Sequence, residues 1–291
     1  MKKIIFIFIA IICFAFVSCP KDEDEEDEKS NDTFYTSEYL IFSDEFNGTT
    51  LDTTKWNELP VLERQGRSTW MAGMVEVSGG YLHIKFRRDP ELGAIYSSNP
   101  DLINNWIRSG GIRTRSTNWQ NYFFRNSFGY YEARIKFPVV RGTWGAFWLM
   151  SPTQNFFGDG GINGTEIDIV ESIRNELGRY NAALHWDGYV YPNHKNINSS
   201  NRPVNIYDGE FHIFALEWTP TEYIFYVDGI EFWRVVGGTL FPDVGTVGIN
   251  QTENYIKLSV EGADWAGTLP SDFTEDVMLV DYVRVYSQKP W

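Results

Sequence analysis

Cysteine is almost absent from this 291-residue chain, which has only Cys13 and Cys19, both near its start. Everything after residue 19 therefore lacks thiols and disulfides, and a domain there must be stabilised by its core alone. Basic residues are also scarce, at 25 Lys and Arg against 39 Asp and Glu, for a formal net charge of −14. This charge argues against a protein that binds phosphate backbones, so no nucleic acid partner is expected. A hydrophobic fraction of 43% and an aromatic fraction of 16% exclude a chain that is disordered throughout.

The one long apolar run covers residues 4–17 and follows two lysines. It is shorter than the roughly 20 residues of a transmembrane helix, so we expect residues 1–18 to be an export signal that is cleaved. The tripeptide V-S-C that ends at Cys19 resembles a bacterial lipobox, in which this cysteine becomes the first mature residue and carries the lipid. An ordinary secretory signal with a chance cysteine is the alternative.

Acidic residues dominate the stretch that follows this cysteine. The run KDEDEEDEKSND at 21–32 cannot pack into a core, so residues 19–35 are expected to be the lipidated cysteine and a solvated spacer. A calcium site within the run is the alternative. The run resembles the acidic export tag of surface lipoproteins in Bacteroidetes-type bacteria. That resemblance implies a protein of the bacterial outer membrane, exposed at the cell surface and attached to the membrane only through its lipid anchor.

From about residue 38 the sequence is a series of short segments rich in Val, Ile, Tyr, Phe and Trp, separated by Gly, Asn, Asp and Pro. Helical periodicity is nearly absent. Segments that alternate apolar and polar residues with period 2 lie at 81–86, 129–137, 210–218, 222–229 and 277–286. The pattern predicts an all-β fold, a two-sheet antiparallel sandwich. No internal repeat or second linker is found, so we expect one domain at 36–291, and a monomer.

Three acids, Glu166, Asp168 and Glu171, lie within an otherwise apolar, β-branched strand, where buried charge is costly. Period 2 places Glu166 and Asp168 on one face. Glu171 comes five residues after Glu166, so a regular strand would direct it to the opposite face. A β-bulge at Ile169 or Val170 would insert one residue and return Glu171 to the face of Glu166.

This spacing has a chemical consequence. Two glutamates four effective strand steps apart, with side chains that lean together, bring their carboxyl groups to about 5–6 Å, the separation found in retaining glycosidases. Repulsion among three acids would raise one pKa, as a general acid requires. An edge strand that carries acids to prevent aggregation is the structural alternative.

Glu166 to Glu171, E-I-D-I-V-E, resembles the E-I-D-x-x-E signature of glycoside hydrolase family 16, in the bulged version typical of laminarinases, agarases, porphyranases and carrageenases. Further segments resemble the family in the same order, among them FSDEFNG at 42–48, SGGIRT at 109–114, FGYYEAR at 128–134, WGAFW at 144–148 and DYVRVY at 281–286. The resemblance covers nearly the whole mature domain.

The resemblance implies a concanavalin A-like β-jelly roll with a concave, carbohydrate-binding cleft. Glu166 would be the nucleophile, Glu171 the general acid and base, and Asp168 their helper. Neither a metal ion nor an organic cofactor would take part in the chemistry.

Trp144 and Trp148 fall in the segment that lines the cleft in the family, where an indole ring can pack against a sugar. Both could instead belong to the core. His185 matches a family position near the acid Glu171. Glu45 and Asp281 resemble positions that hold a structural Ca²⁺ in many relatives, and a plain hydrogen-bonding role is equally open.

Two further expectations concern the surroundings of the motif. Glu261 would add a carboxylate near the cleft and disfavour an anionic substrate such as a heavily sulfated carrageenan. The other histidines, His83, His194 and His212, are expected to be structural.

The leading hypothesis is therefore a retaining endo-β-glycosidase that hydrolyses an extracellular polysaccharide, first of all a β-1,3-glucan. An endo-β-galactanase that acts on agar, porphyran or host glycans is the nearest alternative. A non-catalytic carbohydrate-binding lipoprotein on the same fold is a second class, because a fold alone does not establish activity.

Overall fold

The computed structural model describes residues 37–118, 120–175 and 177–291. The predicted export signal, Cys19 and the acidic spacer lie outside these ranges. Among the described residues, no helix has both the length and the apolar character needed to cross a membrane.

Twenty strands run through the described residues. In chain order they are β1 (Leu40–Asp44), β2 (Asn57–Glu58), β3 (Leu62–Arg64), β4 (Ser68–Trp70), β5 (Val75–Ser78), β6 (Tyr81–Arg88), β7 (Ile107–Ser109), β8 (Gly111–Arg113), β9 (Gly129–Lys136), β10 (Thr143–Met150), β11 (Thr165–Arg174), β12 (Arg179–Trp186), β13 (Lys195–Asn198), β14 (His212–Trp218), β15 (Glu222–Val227), β16 (Ile230–Val236), β17 (Leu240–Phe241), β18 (Gly245–Thr246), β19 (Tyr255–Glu261) and β20 (Glu275–Tyr286). The five alternating segments of the sequence correspond to β6, β9, β14, β15 and β20, which confirms their prediction as strands.

Two large sheets contain nearly all of these strands. The first has eleven strands in the order β16-β15-β14-β9-β20-β6-β7-β4-β3, with β1 paired to β20 and β5 paired to β6. The second has seven strands in the order β13-β12-β11-β10-β19-β8-β2. β17 and β18 form a separate ribbon. The all-β, two-sheet sandwich is confirmed, with the qualification that β4 and β7 pair in parallel.

Two short helices, Pro90–Tyr96 (α1) and Pro100–Asn104 (α2), follow β6, and the periodicity of the sequence did not predict them. Each begins with proline at its first position, where a missing N–H costs nothing. Asp89 caps α1 by accepting a hydrogen bond from the Leu92 amide at 2.8 Å. Local capping thus forms helices that are too short to show a periodic pattern. Two 3-10 turns, Ser37–Tyr39 and Asp264–Ala266, complete the helical elements of the described residues.

The central strands of the seven-stranded sheet have one apolar face and one polar face. Phe147, Leu149, Ile167 and Leu184 are fully buried in a core that also contains residues of the other sheet, such as Phe214. This burial is the main source of stability, at about 25 cal/mol for each Å² of apolar surface removed from water. The opposite face of β10, β11, β12 and β19 carries the polar and charged residues of the candidate site.

Candidate active site

A β-bulge in β11 determines which side chains reach the polar face. Asp168 pairs with Ala183 of β12, and Glu171 pairs with Asn181, so two residues of β11 lie opposite one residue of β12. The two residues of the bulge, Ile169 and Val170, are both fully buried in the core. The bulge predicted from the sequence is therefore present, and it returns Glu171 to the face of Glu166.

Glu171 is held by two donors from neighbouring strands. The Trp144 indole N–H of β10 donates to its Oε1 at 3.0 Å, and the Asn181 amide of β12 donates to its Oε2 at 2.7 Å. Burial and the charge of Glu166 raise the pKa of Glu171 to about 7, against the two hydrogen bonds, which lower it. At neutral pH this carboxyl group can therefore both donate and accept a proton.

Glu166 is nearly buried, with 9% of its surface exposed. The Tyr189 hydroxyl donates a short hydrogen bond to its Oε2. Burial raises the pKa of Glu166, whereas this hydrogen bond and the charges of Lys257 and Arg64 lower it. Tyr189 lies between β12 and β13 and is itself 51% exposed, so a side chain at the protein surface contacts the predicted nucleophile.

Asp168 lies between the two glutamates and is 4% exposed. Its Oδ2 is 3.4 Å from Nε2 of His185 and accepts no hydrogen bond. Burial, followed by the charges of Glu166 and Glu171, raises its pKa well above the usual value of an aspartate. Asp168 therefore keeps its proton to a higher pH than an exposed aspartate does, and it can share that proton with its neighbours.

His185 differs from its predicted position. The register of β11 and β12 pairs it with Glu166, and it lies beside Asp168 rather than beside Glu171, whose partner in β12 is Asn181. Burial lowers the pKa of His185 to about 4, so the imidazole is neutral at physiological pH. Its Nδ1 is 3.0 Å from Nε2 of His194, and the two rings stack at a centroid distance of 5.2 Å. His194, expected only to be structural, therefore contacts a residue of the site.

The two predicted tryptophans have different environments. Trp144 is partly exposed, and Trp265 packs against it edge to face at a centroid distance of 5.2 Å. Trp148 is only 5% exposed, because Lys257 covers its ring at 3.5 Å and its indole N–H donates to Ser259. Trp144 is thus available for stacking against a sugar ring, whereas the ring of Trp148 packs against Lys257.

An ion pair between the half-buried Arg64 and the buried Glu261 lies beside Trp70. Glu261 accepts a hydrogen bond from Nε of Arg64 at 3.0 Å, and the Arg64 guanidinium packs over Trp70. The expected extra carboxylate is present, but the charge of Arg64 balances that of Glu261, which weakens the argument against an anionic substrate. Burial and the charge of Arg64 lower the pKa of Lys257 to about 7.

The two acids predicted to bind structural calcium both have arginine partners. Glu45 accepts hydrogen bonds from Arg284, the closer at 2.8 Å, and Asp281 accepts one from Arg134 at 2.7 Å. These ion pairs fit the hydrogen-bonding alternative that the sequence left open. The calcium site itself stays a prediction.

Some residues of this site were not predicted. They are Arg64, Asn181, Tyr189, His194 and Lys257. Lys257 had a usable signal, because it alternates with Ser259 and Glu261 in the otherwise apolar β19. Tyr189 and His194 lie in an irregular loop, where no periodic pattern shows which residues turn toward the sheet.

Comparison with known proteins agrees with this geometry. The chain is 29% identical over 279 residues to glucan endo-1,3-β-glucosidase A1 of Niallia circulans, covering 86% of this chain and 38% of that protein. It is 28% identical over 268 residues to the keratan-sulfate endo-1,4-β-galactosidase of Sphingobacterium multivorum, covering 87% and 56%. The chain thus spans less than two thirds of the length of these two relatives.

The fold is shared with solved structures. The laminarinase catalytic domain from Thermotoga maritima matches with a TM-score of 0.64 at 22% identity, covering 86% of this chain and 98% of that one. The family model described as the GH16 domain of β-porphyranases A–D matches residues 39–288, which includes every strand of both sheets. The chain therefore belongs to glycoside hydrolase family 16.

Proposed function

We propose that the protein is a retaining endo-β-glycosidase that hydrolyses O-glycosidic bonds of an extracellular polysaccharide. The observation that carries this proposal is the bulged strand, which sets Glu171 on the same face as Glu166. The two carboxyl groups have distinct surroundings, since Glu171 is bound by Trp144 and Asn181 while Glu166 is bound by Tyr189. A sugar-binding protein without activity has no need of such a pair.

In the proposed first step, Glu166 attacks the anomeric carbon and Glu171 protonates the departing glycosidic oxygen. The attack converts the Glu166 carboxylate into an uncharged ester. Because the charge of Glu166 is one cause of the raised pKa of Glu171, that pKa falls when the ester forms. Glu171 then accepts a proton from the water that releases the sugar. No metal or organic cofactor enters these steps.

The first proposed substrate is a β-1,3-glucan, which the similarity to the glucan endo-1,3-β-glucosidase supports. A β-galactan of the agar, porphyran or keratan-sulfate type is the second candidate, supported by the porphyranase family model and by the keratan-sulfate galactosidase. The ion pair between Arg64 and Glu261 removes the electrostatic objection to an anionic galactan. Trp144 and Trp265 offer aromatic surface to either sugar.

We also propose that the protein is exported and anchored through Cys19 to the outer membrane, facing the cell exterior, as a monomer. The V-S-C tripeptide and the acidic run at 21–32 support the export and the anchoring. A polysaccharide is too large to cross the envelope intact, which suits an enzyme at the cell surface.

The test is product release from laminarin, agar, porphyran, keratan sulfate and mucin by wild type, Glu166→Gln and Glu171→Gln. We expect oligosaccharides from one polymer, with the β-anomer formed first in NMR spectra, and almost none from either variant. Glu253→Gln, a change in an exposed ion pair, is the matched control and should retain activity. Near-wild-type turnover by either catalytic variant, or an initial α-anomer, would contradict the proposal. Binding to a polymer without any cleavage would favour a carbohydrate-binding protein.

A further inference from the structure

Three side chains at the polar face of β11 and β12 form a group with the composition of a metal site. Glu166, Asp168 and His185 each offer one ligand atom, and these atoms all lie within 4.8 Å of one another. Zinc binds imidazole nitrogen and carboxylate oxygen at about 2.0–2.2 Å, so ligands around one ion lie about 3–4 Å apart. Small rotations of the side chains are enough to close the group around one ion.

Asp168 provides a second, independent observation that points to a cation. The side chain is only 4% exposed, and its buried Oδ2 accepts no hydrogen bond. Buried acceptors are normally satisfied, because an unpaired polar atom costs free energy. This atom lies 3.4 Å from Nε2 of His185 and therefore faces the centre of the group. A cation bound there would satisfy it.

The second nitrogen of His185 has the partner that a metal-binding histidine requires. Nδ1 of His185 lies 3.0 Å from Nε2 of His194. If Nδ1 carries the proton and donates it to His194, the lone pair of Nε2 faces the two carboxylates. Outer partners of this kind orient histidine ligands in metal sites and fix their tautomer.

We propose that Glu166, Asp168 and His185 bind one Zn²⁺ ion, or a divalent ion of similar chemistry, and that this ion competes with the substrate. Two carboxylates and one imidazole are a donor set that zinc accepts, with a remaining position open to water. The competition rests on the proposed function, since a metal bound to Glu166 occupies the nucleophile. The binding itself does not depend on that function. Lys257 faces Glu166 and weakens the affinity, whereas Arg64 is already paired with Glu261.

Calorimetric titration of the full-length, EDTA-treated protein with ZnCl₂ tests the binding. We expect one site that His185→Ala and Glu166→Gln each weaken at least about 10-fold, and that His194→Ala weakens less. His83→Ala is the matched control, because His83 lies on β6 of the other sheet beside Ser78. The zinc affinity of this variant should equal that of the wild type. Weak binding to the acidic run at 21–32 is common to all variants and cancels in the comparison.

A second measurement uses Co²⁺ as a spectroscopic probe of the same site. The visible absorption of bound Co²⁺ should be present in wild type and absent in His185→Ala, while circular dichroism shows that the variant is folded.

The proposal would be overturned if wild type and His185→Ala bound zinc with equal affinity, or if the wild type had no zinc site stronger than that of the variant. Zinc binding without hydrolysis of any polymer would refute the proposed function alone. Hydrolysis without zinc binding would refute the metal site alone.

Discussion

Replacing Asn181 with leucine tests whether hydrogen bonds control the proton affinity of Glu171. The Asn181 amide donates to this carboxylate at 2.7 Å, and Trp144 donates at 3.0 Å. Both bonds favour the ionised form and oppose the burial that raises the pKa to about 7. A hydrogen bond to a charged group contributes about 1.5–3 kcal/mol, and about 1.4 kcal/mol corresponds to one pKa unit. Loss of the Asn181 bond should therefore raise the pKa of Glu171 by about one unit.

The variant should consequently work at higher pH than the wild type. The acid role needs the protonated form of Glu171, so wild-type kcat/KM falls as the pH rises through about 7. In Asn181→Leu this fall should begin about one pH unit higher. The base role needs the ionised form, so the step that releases the sugar should become slower at low pH in the variant.

The assay is the release of reducing ends from the polysaccharide that the wild type hydrolyses, measured between about pH 5 and pH 9. Asn198→Leu is the matched control, because Asn198 is an exposed asparagine on the neighbouring strand β13. Its profile should equal that of the wild type. An alkaline limb that stays at the wild-type pH in Asn181→Leu, or moves to lower pH, would refute the assignment of Glu171 as the acid.

Three other changes test separate parts of the site. Tyr189→Phe removes the hydroxyl that donates to Glu166, so the nucleophile is held less firmly and kcat/KM should fall about 10-fold. Arg64→Leu leaves the buried Glu261 without its partner at 3.0 Å, which should lower the free energy of unfolding in urea by about 3 kcal/mol. Deletion of Ile169 removes the extra residue of the bulge but keeps both glutamates on one face, so weak hydrolysis should remain while stability falls by about 3 kcal/mol.

Each of these three predictions has a control variant or a result that would contradict it. Tyr191→Phe removes a hydroxyl from the same loop, at a residue that is 91% exposed, and should leave kcat/KM unchanged. Lys85→Met breaks a surface ion pair with Glu76 and should not change stability measurably, in contrast to Arg64→Leu. A folded Ile169 deletion variant with no hydrolysis at all would show that the bulge itself, and not only the shared face, is required.

The strands were predictable because a sheet with one buried face repeats every two residues. β6, β9, β14, β15 and β20 all carry that alternation. Helices α1 and α2 were not predicted, because each depends on one capping side chain and a proline rather than on a repeating pattern. Their lengths of seven and five residues give at most two turns in which periodicity could be seen.

The three acids of the site, Glu166, Asp168 and Glu171, were predictable for a similar reason, because their spacing within one strand is a local pattern. Three acids within an apolar, β-branched strand are costly to bury, and a spacing of five puts Glu166 and Glu171 on one face only if the strand has one extra residue. Only the fold shows which neighbours surround them. His185 lies beside Asp168, and Trp148 is covered by Lys257, because strand register decides which residues of separate strands meet.

The sequence by itself determined the two-sheet architecture, the bulge and the three carboxylates, because periodicity and local spacing follow from the geometry of a single strand. The tertiary structure alone decided the chemistry around them. The pairing of Arg64 with Glu261 joins residues 197 positions apart, and Tyr189 reaches Glu166 from an irregular loop. Such contacts depend on strand order and loop path, which no local pattern encodes, and they set the charge and the proton affinity of the site.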